Sequence, residues 1–159
     1  MLSTAVAKVI DKNITGLRNI PEYKEFVEEI LAAKSYDGIA KTRYVNDKQI
    51  TDHYAIVPTG QGFNNLKNLS ATTKAVYYAI VRRFLSIFYP AAVYKKISIS
   101  LRRDTESFFA SFKVLEKEGY LKVVNSFRKS KADGEETEEE KYDEAFLDKL
   151  NGRIKGSIL

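Results

Sequence analysis

The stretch Thr51-Asp52-His53-Tyr54-Ala55-Ile56-Val57-Pro58-Thr59 gathers residue types that handle phosphate esters, and it contains the one histidine of the chain. An imidazole can donate to a phosphate oxygen, relay a proton or hold a neighbouring group in place. The hydroxyls of Thr51 and Thr59 can donate to phosphate oxygens on either side of it. A histidine in such a loop can equally do no more than cap a turn, and residue types alone leave both readings open. A second candidate is the pair Arg82-Arg83, which interrupts the most apolar stretch of the chain, Ala75 to Tyr94. Guanidinium forks match phosphate oxygens; a solvated helix edge or an ion pair is the alternative. Arg102, Arg103 and Asp104 read as a loop between strands. The acids from Glu135 to Glu140 read as a solvated loop, without the spacing of a metal site. With no cysteine in the chain, disulfides, zinc fingers and thiol chemistry are excluded. Any metal would have to rest on carboxylates.

The elements that must position these residues are legible in part. Val6, Val9 and Ile10 recur at helical spacing over Thr4 to Asp11, with Ser3 or Thr4 as N-cap. Pro21 suits a first helical position, and Tyr23, Phe26, Val27, Ile30 and Leu31 come after it as one stripe that ends near Lys34, before Gly38. Residues 39–68 have no period. They form a long connection, with a short extended piece at Ala55 to Val57, and connections of that kind often carry function. Ser70 then caps the strongest helix, on which Val76, Tyr77, Ile80, Val81, Phe84, Leu85 and Phe88 share a face. Tyr89-Pro90 stops it, because proline restricts the residue before it and has no N–H to donate.

After Pro90 the period becomes two. Val93, Lys95, Ile97, Ile99 and Leu101 alternate with polar neighbours, and so do Phe108, Ala110, Phe112 and Val114. Two antiparallel strands joined through Arg102 to Glu106 are expected. Leu115 to Gly119 should turn, and Tyr120 to Val124 reads as a third short strand. Ser126 to Glu144 is polar and charge-rich, and Phe146, Leu147 and Leu150 suggest one more apolar turn. The predicted class is α+β, helical first and antiparallel second.

Net charge is +5. Between Asp133 and Glu144 eight acids and one base give −7, which leaves +12 on the rest of the chain. A basic body with one acidic loop suits a polyanionic partner such as DNA, although a basic protein need not have one. Met1 to Ile10 has neither the basic lead nor the apolar run of a signal peptide. The two arginines at the centre of Ala75 to Tyr94 argue against a membrane span there. The expected location is the cytoplasm, with no membrane partner.

The histidine stretch resembles the Thr-x-His-His-Ala-Ile-x-Pro-Thr signature of type IA DNA topoisomerases, most closely the topoisomerase III-type branch. The resemblance continues in order along the chain. Arg43-Tyr44-Val45-Asn46-Asp47 into Lys48-Gln49-Ile50 is similar to the family's approach to the motif. Ala79-Ile80-Val81-Arg82-Arg83-Phe84-Leu85 and Phe88 through Tyr94 are similar to the family's helix and strand after the motif. Leu115-Glu116-Lys117-Glu118-Gly119-Tyr120 is similar to its strand-ending turn. The match runs over roughly residues 2 to 150, with the signature its most specific part. One departure lies inside the motif, where Tyr54 stands in place of the family's second histidine.

The resemblance implies a parent enzyme that cuts one DNA strand through a tyrosine nucleophile, uses Mg2+ and works on single-stranded DNA at the bacterial nucleoid. It implies a supporting active-site role for His53 and DNA contacts for Thr51, His53, Thr59, Arg82 and Arg83. The family's Tyr-x-Arg-Thr-Asp-Ser-like nucleophile motif does not occur here, and neither Tyr23 nor Tyr36 has its neighbours. The chain is therefore expected to begin just after that motif and to be an internal fragment. Its partner would be the rest of the parent, and alone it would be inactive and bind no cofactor. In this reading residues 1–90 are the remainder of the helical domain that carries the nucleophile, and 91–130 are strands of the gate domain. Residues 131–144 are an acidic mobile loop, 145–159 start the next element, and a hinge falls at Pro90 to Ala92. The alternatives are a stand-alone single-stranded DNA-binding module without catalysis, its aromatic rings stacking on bases, and a structural domain that binds protein through its sheet edge.

Overall fold

The computed structural model describes residues 1–126 and shows an α+β fold, with helices first and an antiparallel pair of strands after them. The expected acidic loop 131–144 and the apolar turn at Phe146, Leu147 and Leu150 lie outside the described residues.

The single expected first helix is two. α1 (Thr4–Ala7) is capped by Ser3, whose Oγ accepts from the Val6 N–H at 3.2 Å, and α2 (Ile10–Gly16) starts after a break at Lys8 and Val9. Pro21–Tyr23 forms a 3-10 turn that leads into α3 (Lys24–Ala33), and Lys34 closes α3 in the left-handed region at φ 48°. α4 (Ala71–Ser86) begins at Ser70, whose Oγ accepts from the Thr73 N–H at 3.2 Å. It ends sooner than Tyr89-Pro90 would require, and the chain leaves it through a turn. Val76 is exposed and does not belong to the buried face; Tyr78 packs against the core instead.

The core lies between these helices. Ile10, Ile14 and Leu17 meet Tyr23, Val27 and Ile30 of the next segment and Val81, Phe84 and Leu85 of α4. Tyr23 is fully buried, and its hydroxyl donates to the Tyr78 carbonyl at 3.1 Å. A buried phenol without a partner would be costly, so this bond also fixes α4 against the turn before α3.

β1 (Val93–Arg103) and β2 (Glu106–Lys117) pair antiparallel, in one continuous register from Tyr94↔Leu115 to Arg103↔Glu106 with a shift between Val93 and Tyr94. Ile97, Ile99 and Leu101 stand opposite Phe112, Ala110 and Phe108, so the two predicted apolar runs share one face. The connection is tighter than expected: only Asp104 and Thr105 separate the strands, and Asp104 takes φ 53°. β2 also runs on through Leu115 to Lys117, and the turn comes at Gly119-Tyr120.

The expected third strand at Tyr120 to Val124 is a helix, α5 (Leu121–Asn125). Its apolar run is too short for period to separate strand from helix, and packing decides. Val123 is fully buried in the helical core. Lys122 is paired with Glu29 and lies 3.7 Å from Glu25, both on α3. The root of the hairpin is closed at the same place. The Tyr120 N–H donates to the Pro90 carbonyl at 2.9 Å, and Gly119 at φ 51° lies so close that a Cβ would come within 2.4 Å of the Pro90 oxygen.

Candidate functional site

The His53 loop is held by its backbone, while most of its side chains are left to solvent. Three anchors hold it. The Ala55 N–H donates to the Met1 carbonyl at 3.1 Å. Asn13 on α2 donates through Nδ2 to the Pro58 carbonyl at 2.9 Å. Gly60, at φ 70°, abuts the end of α2, where a Cβ on it would lie 2.5 Å from the Gly16 Cα. A Cβ on Gly16 would collide with Gly60 in the same way, at 2.6 Å from its Cα. Two glycines are therefore needed for this crossing.

Between the anchors, Pro58 is buried, and Ala55 and Val57 are half-buried against the core. Thr51, Asp52, His53 and Thr59 are exposed. Tyr54 and Ile56 are also open to solvent, at 70% and 76%. The loop thus presents His53 with threonine hydroxyls on a fixed backbone, which suits an extended ligand rich in acceptors. No regular strand forms at Ala55 to Val57.

The start of the chain runs beside this loop. Leu2 bridges Val45 in parallel: its N–H donates to the Tyr44 carbonyl at 2.9 Å, and its carbonyl accepts from the Asn46 N–H at 3.1 Å. Asp47 then accepts from the Thr4 N–H at 2.8 Å and the Thr4 hydroxyl at 2.5 Å. These two bonds, that from the hydroxyl foremost, hold the Asp47 carboxyl below its usual range.

Arg82 and Arg83 lie elsewhere. With Ala79, Ser86 and Val124 they line an open groove of about 300 Å³, and no residue of the His53 loop lines it. Arg83 is exposed. Arg82 is half-buried near Tyr23, whose pKa is raised by burial and drawn back by the Arg82 charge. Thr51, His53 and Thr59 therefore share one loop, and the arginines form a second surface.

Residue types did not disclose the anchors. Asn13 and Gly16 carry no motif, and their partners are distant in sequence. Gly60 could have been noticed, because Thr-Gly-Gln-Gly after a proline suggests left-handed backbone, and Gly62 indeed has φ 75°. Among the described residues no group of three or more His, Asp or Glu could hold a metal ion.

Comparison with known proteins adds a family to this geometry. A family model described as DNA topoisomerase matches residues 3–152. DNA topoisomerase 3 of Bacillus subtilis (strain 168) is 29% identical over 126 residues, which is 78% of this chain and 16% of that protein. DNA topoisomerase 3 of Bacillus licheniformis is 30% identical over 141 residues, 88% of this chain and 18% of that protein. This chain thus spans less than a fifth of the length of these relatives. No solved structure matches it.

Proposed function

Because this chain belongs to the DNA topoisomerase family, in its type IA, topoisomerase III-like branch, we propose that it is a segment of an enzyme that changes DNA topology by transient single-strand cleavage and strand passage. Its own contribution is DNA binding and His53 beside the reacting phosphate. The observation that carries this reading is the hydrogen bond from the Ala55 N–H to the Met1 carbonyl. In enzymes of this type the tyrosine motif precedes the histidine motif. Residues ahead of Met1 in a complete enzyme would enter two residues from His53, so that nucleophile and histidine meet by chain continuity.

The chemistry rests on these groups. In the complete enzyme a tyrosine oxygen forms a bond to phosphorus as the bond to a deoxyribose oxygen breaks. The sugar leaves as an alcohol after taking up a proton, and the reverse step reseals the strand. Negative charge grows on the phosphate during each exchange. An imidazole N–H at His53 meets that charge, aided by the hydroxyls of Thr51 and Thr59. The groove at Arg82 and Arg83 would hold phosphates further along the strand. Mg2+ would serve the complete enzyme, and the described residues offer it no cluster. The substrate would be mainly single-stranded DNA, at the nucleoid in the cytoplasm. Residues 1–90 would belong to the nucleophile-bearing domain, and the hairpin after Pro90 to the gate that swings away during passage.

The test compares two proteins on supercoiled plasmid with Mg2+. The 159-residue chain alone leaves the plasmid supercoiled. The same chain preceded by the rest of its reading frame, with a tyrosine and arginine motif, relaxes it. Relaxation by the chain alone, or a covalent DNA adduct on any of its ten tyrosines, contradicts the reading.

A further inference from the structure

The two faces of the hairpin differ in a way that the cleavage reaction does not use. One face carries Ile97, Ile99, Phe112 and Val114, all half-buried. The other carries three cations, Lys96, Arg102 and Lys113, and no carboxylate at any position of the register from Tyr94↔Leu115 to Arg102↔Ser107. Lys96 and Lys113 stand directly opposite each other. Like charges in that position destabilise a strand pair, so the sheet bears a cost there that a bound anion would relieve.

Next along the face Ser98 is opposite Ser111, and Ser100 is opposite Phe109. These residues line an open groove of about 350 Å³ together with Lys96. Phe109 is 79% exposed among polar neighbours, so burial does not explain a phenyl ring there. Cations without acids, hydroxyl donors between them and an open aromatic ring are the parts of a surface that tracks a phosphate backbone and stacks a base.

We propose that this face of the hairpin is a second nucleic-acid site, taking single-stranded DNA with phosphates on Lys96 and Lys113 and an unpaired base on Phe109. The proposal rests on DNA as the partner but not on His53. A single strand is the occupant that fits, because a duplex keeps its bases stacked internally and would leave Phe109 unused.

The experiment titrates a fluorescent oligothymidine with the full chain at several salt concentrations and follows anisotropy. Two variants are compared with the parent chain: Lys96→Ala/Lys113→Ala and Phe109→Ala. Circular dichroism melts confirm that each is folded. The double lysine variant is expected to flatten the slope of log affinity against log salt by about 1.4, at roughly 0.7 per lost phosphate contact. Phe109→Ala is expected to weaken binding about five-fold or more, the loss of one stacked base, and to leave the salt slope unchanged. Folded hairpin variants that bind like the parent chain overturn the proposal, while leaving the His53 reading to its own test. Equal affinity for duplex DNA, insensitive to Phe109, also overturns it, since that is contact with phosphate alone.

Discussion

Gly60 and Gly16 decide where the His53 loop lies, and the neighbouring Gly62 provides an internal control. Gly60 and Gly62 both have positive φ, but a Cβ on Gly62 would meet nothing nearer than the Asn65 Nδ2 at 3.9 Å. Gly62→Ala should therefore cost only the left-handed strain, about 1–2 kcal/mol. Gly60→Ala adds a collision with the α2 backbone and should cost more than that, with the loop displaced from α2. Urea melts of the two variants check the order, and equal losses would show that the glycine crossing is not a structural requirement. Asn13→Ala removes one hydrogen bond to the Pro58 carbonyl and should cost about 1 kcal/mol. At this scale the motif was legible through its resemblance to a family signature, since its residue types alone leave a turn-capping histidine equally open. The anchors were not legible, since a glycine contact spanning Gly16 to Gly60 leaves no local pattern.

The element with the most consequence is α5. It ties the far root of the hairpin back to the helical body, through Val123 in the core and through Lys122 on the Glu29 carboxylate of α3, which also accepts from the Tyr89 hydroxyl at 2.7 Å. Val123→Ala should cost about 2 kcal/mol from lost burial and the cavity left behind. Glu29 is held below its ordinary pKa by hydrogen bonds from Lys122 and then Tyr89, against a smaller opposing effect of burial. A depressed carboxylate adds stability that is complete above its unfolded pKa, near 4.5, and is lost as pH falls through the folded value. The gap in urea midpoint between the parent chain and Glu29→Gln should thus be present at pH 7 and shrink toward pH 3. A gap that grows on acidification would contradict the sign. Both partners are partly exposed, so the pH 7 gap should be worth less than about 1 kcal/mol. Helices α3 and α4 and the hairpin were readable because each holds one period long enough to be unambiguous. Tyr120 to Val124 was not: Leu121, Val123 and Val124 suit a short strand as well as a helical turn. Only the distant pocket that receives Val123 decides between them.

In the whole molecule the helical body holds nearly all the buried apolar residues, and the hairpin stands out from it with Leu101 and Phe108 more than 60% exposed. Two strands alone are marginal in water, so hairpin amides in the isolated chain should exchange with deuterium faster than those of α3 and α4. Slower exchange in the hairpin would show that the strand pair is stable without further cover. In the proposed enzyme that division would separate a body that holds DNA from an arm that moves with a gate. It could be anticipated from the switch of period at Pro90, whereas the clasp at Pro90, Gly119 and Tyr120 could not. We infer that in the full enzyme the His53 loop forms one wall of a cleavage site completed by residues ahead of Met1. The most direct test of this claim is single-turnover cleavage of a labelled oligonucleotide by the complete enzyme and its His53→Ala variant, both shown to be folded and to bind DNA. A donor that matters as charge builds on the phosphate should cost up to about 10²–10³-fold in rate when removed, with binding nearly unchanged. Tyr54→His should be mild beside it. Equal cleavage rates for the enzyme and its His53→Ala variant would contradict the claim and leave His53 a loop residue without a part in the chemistry.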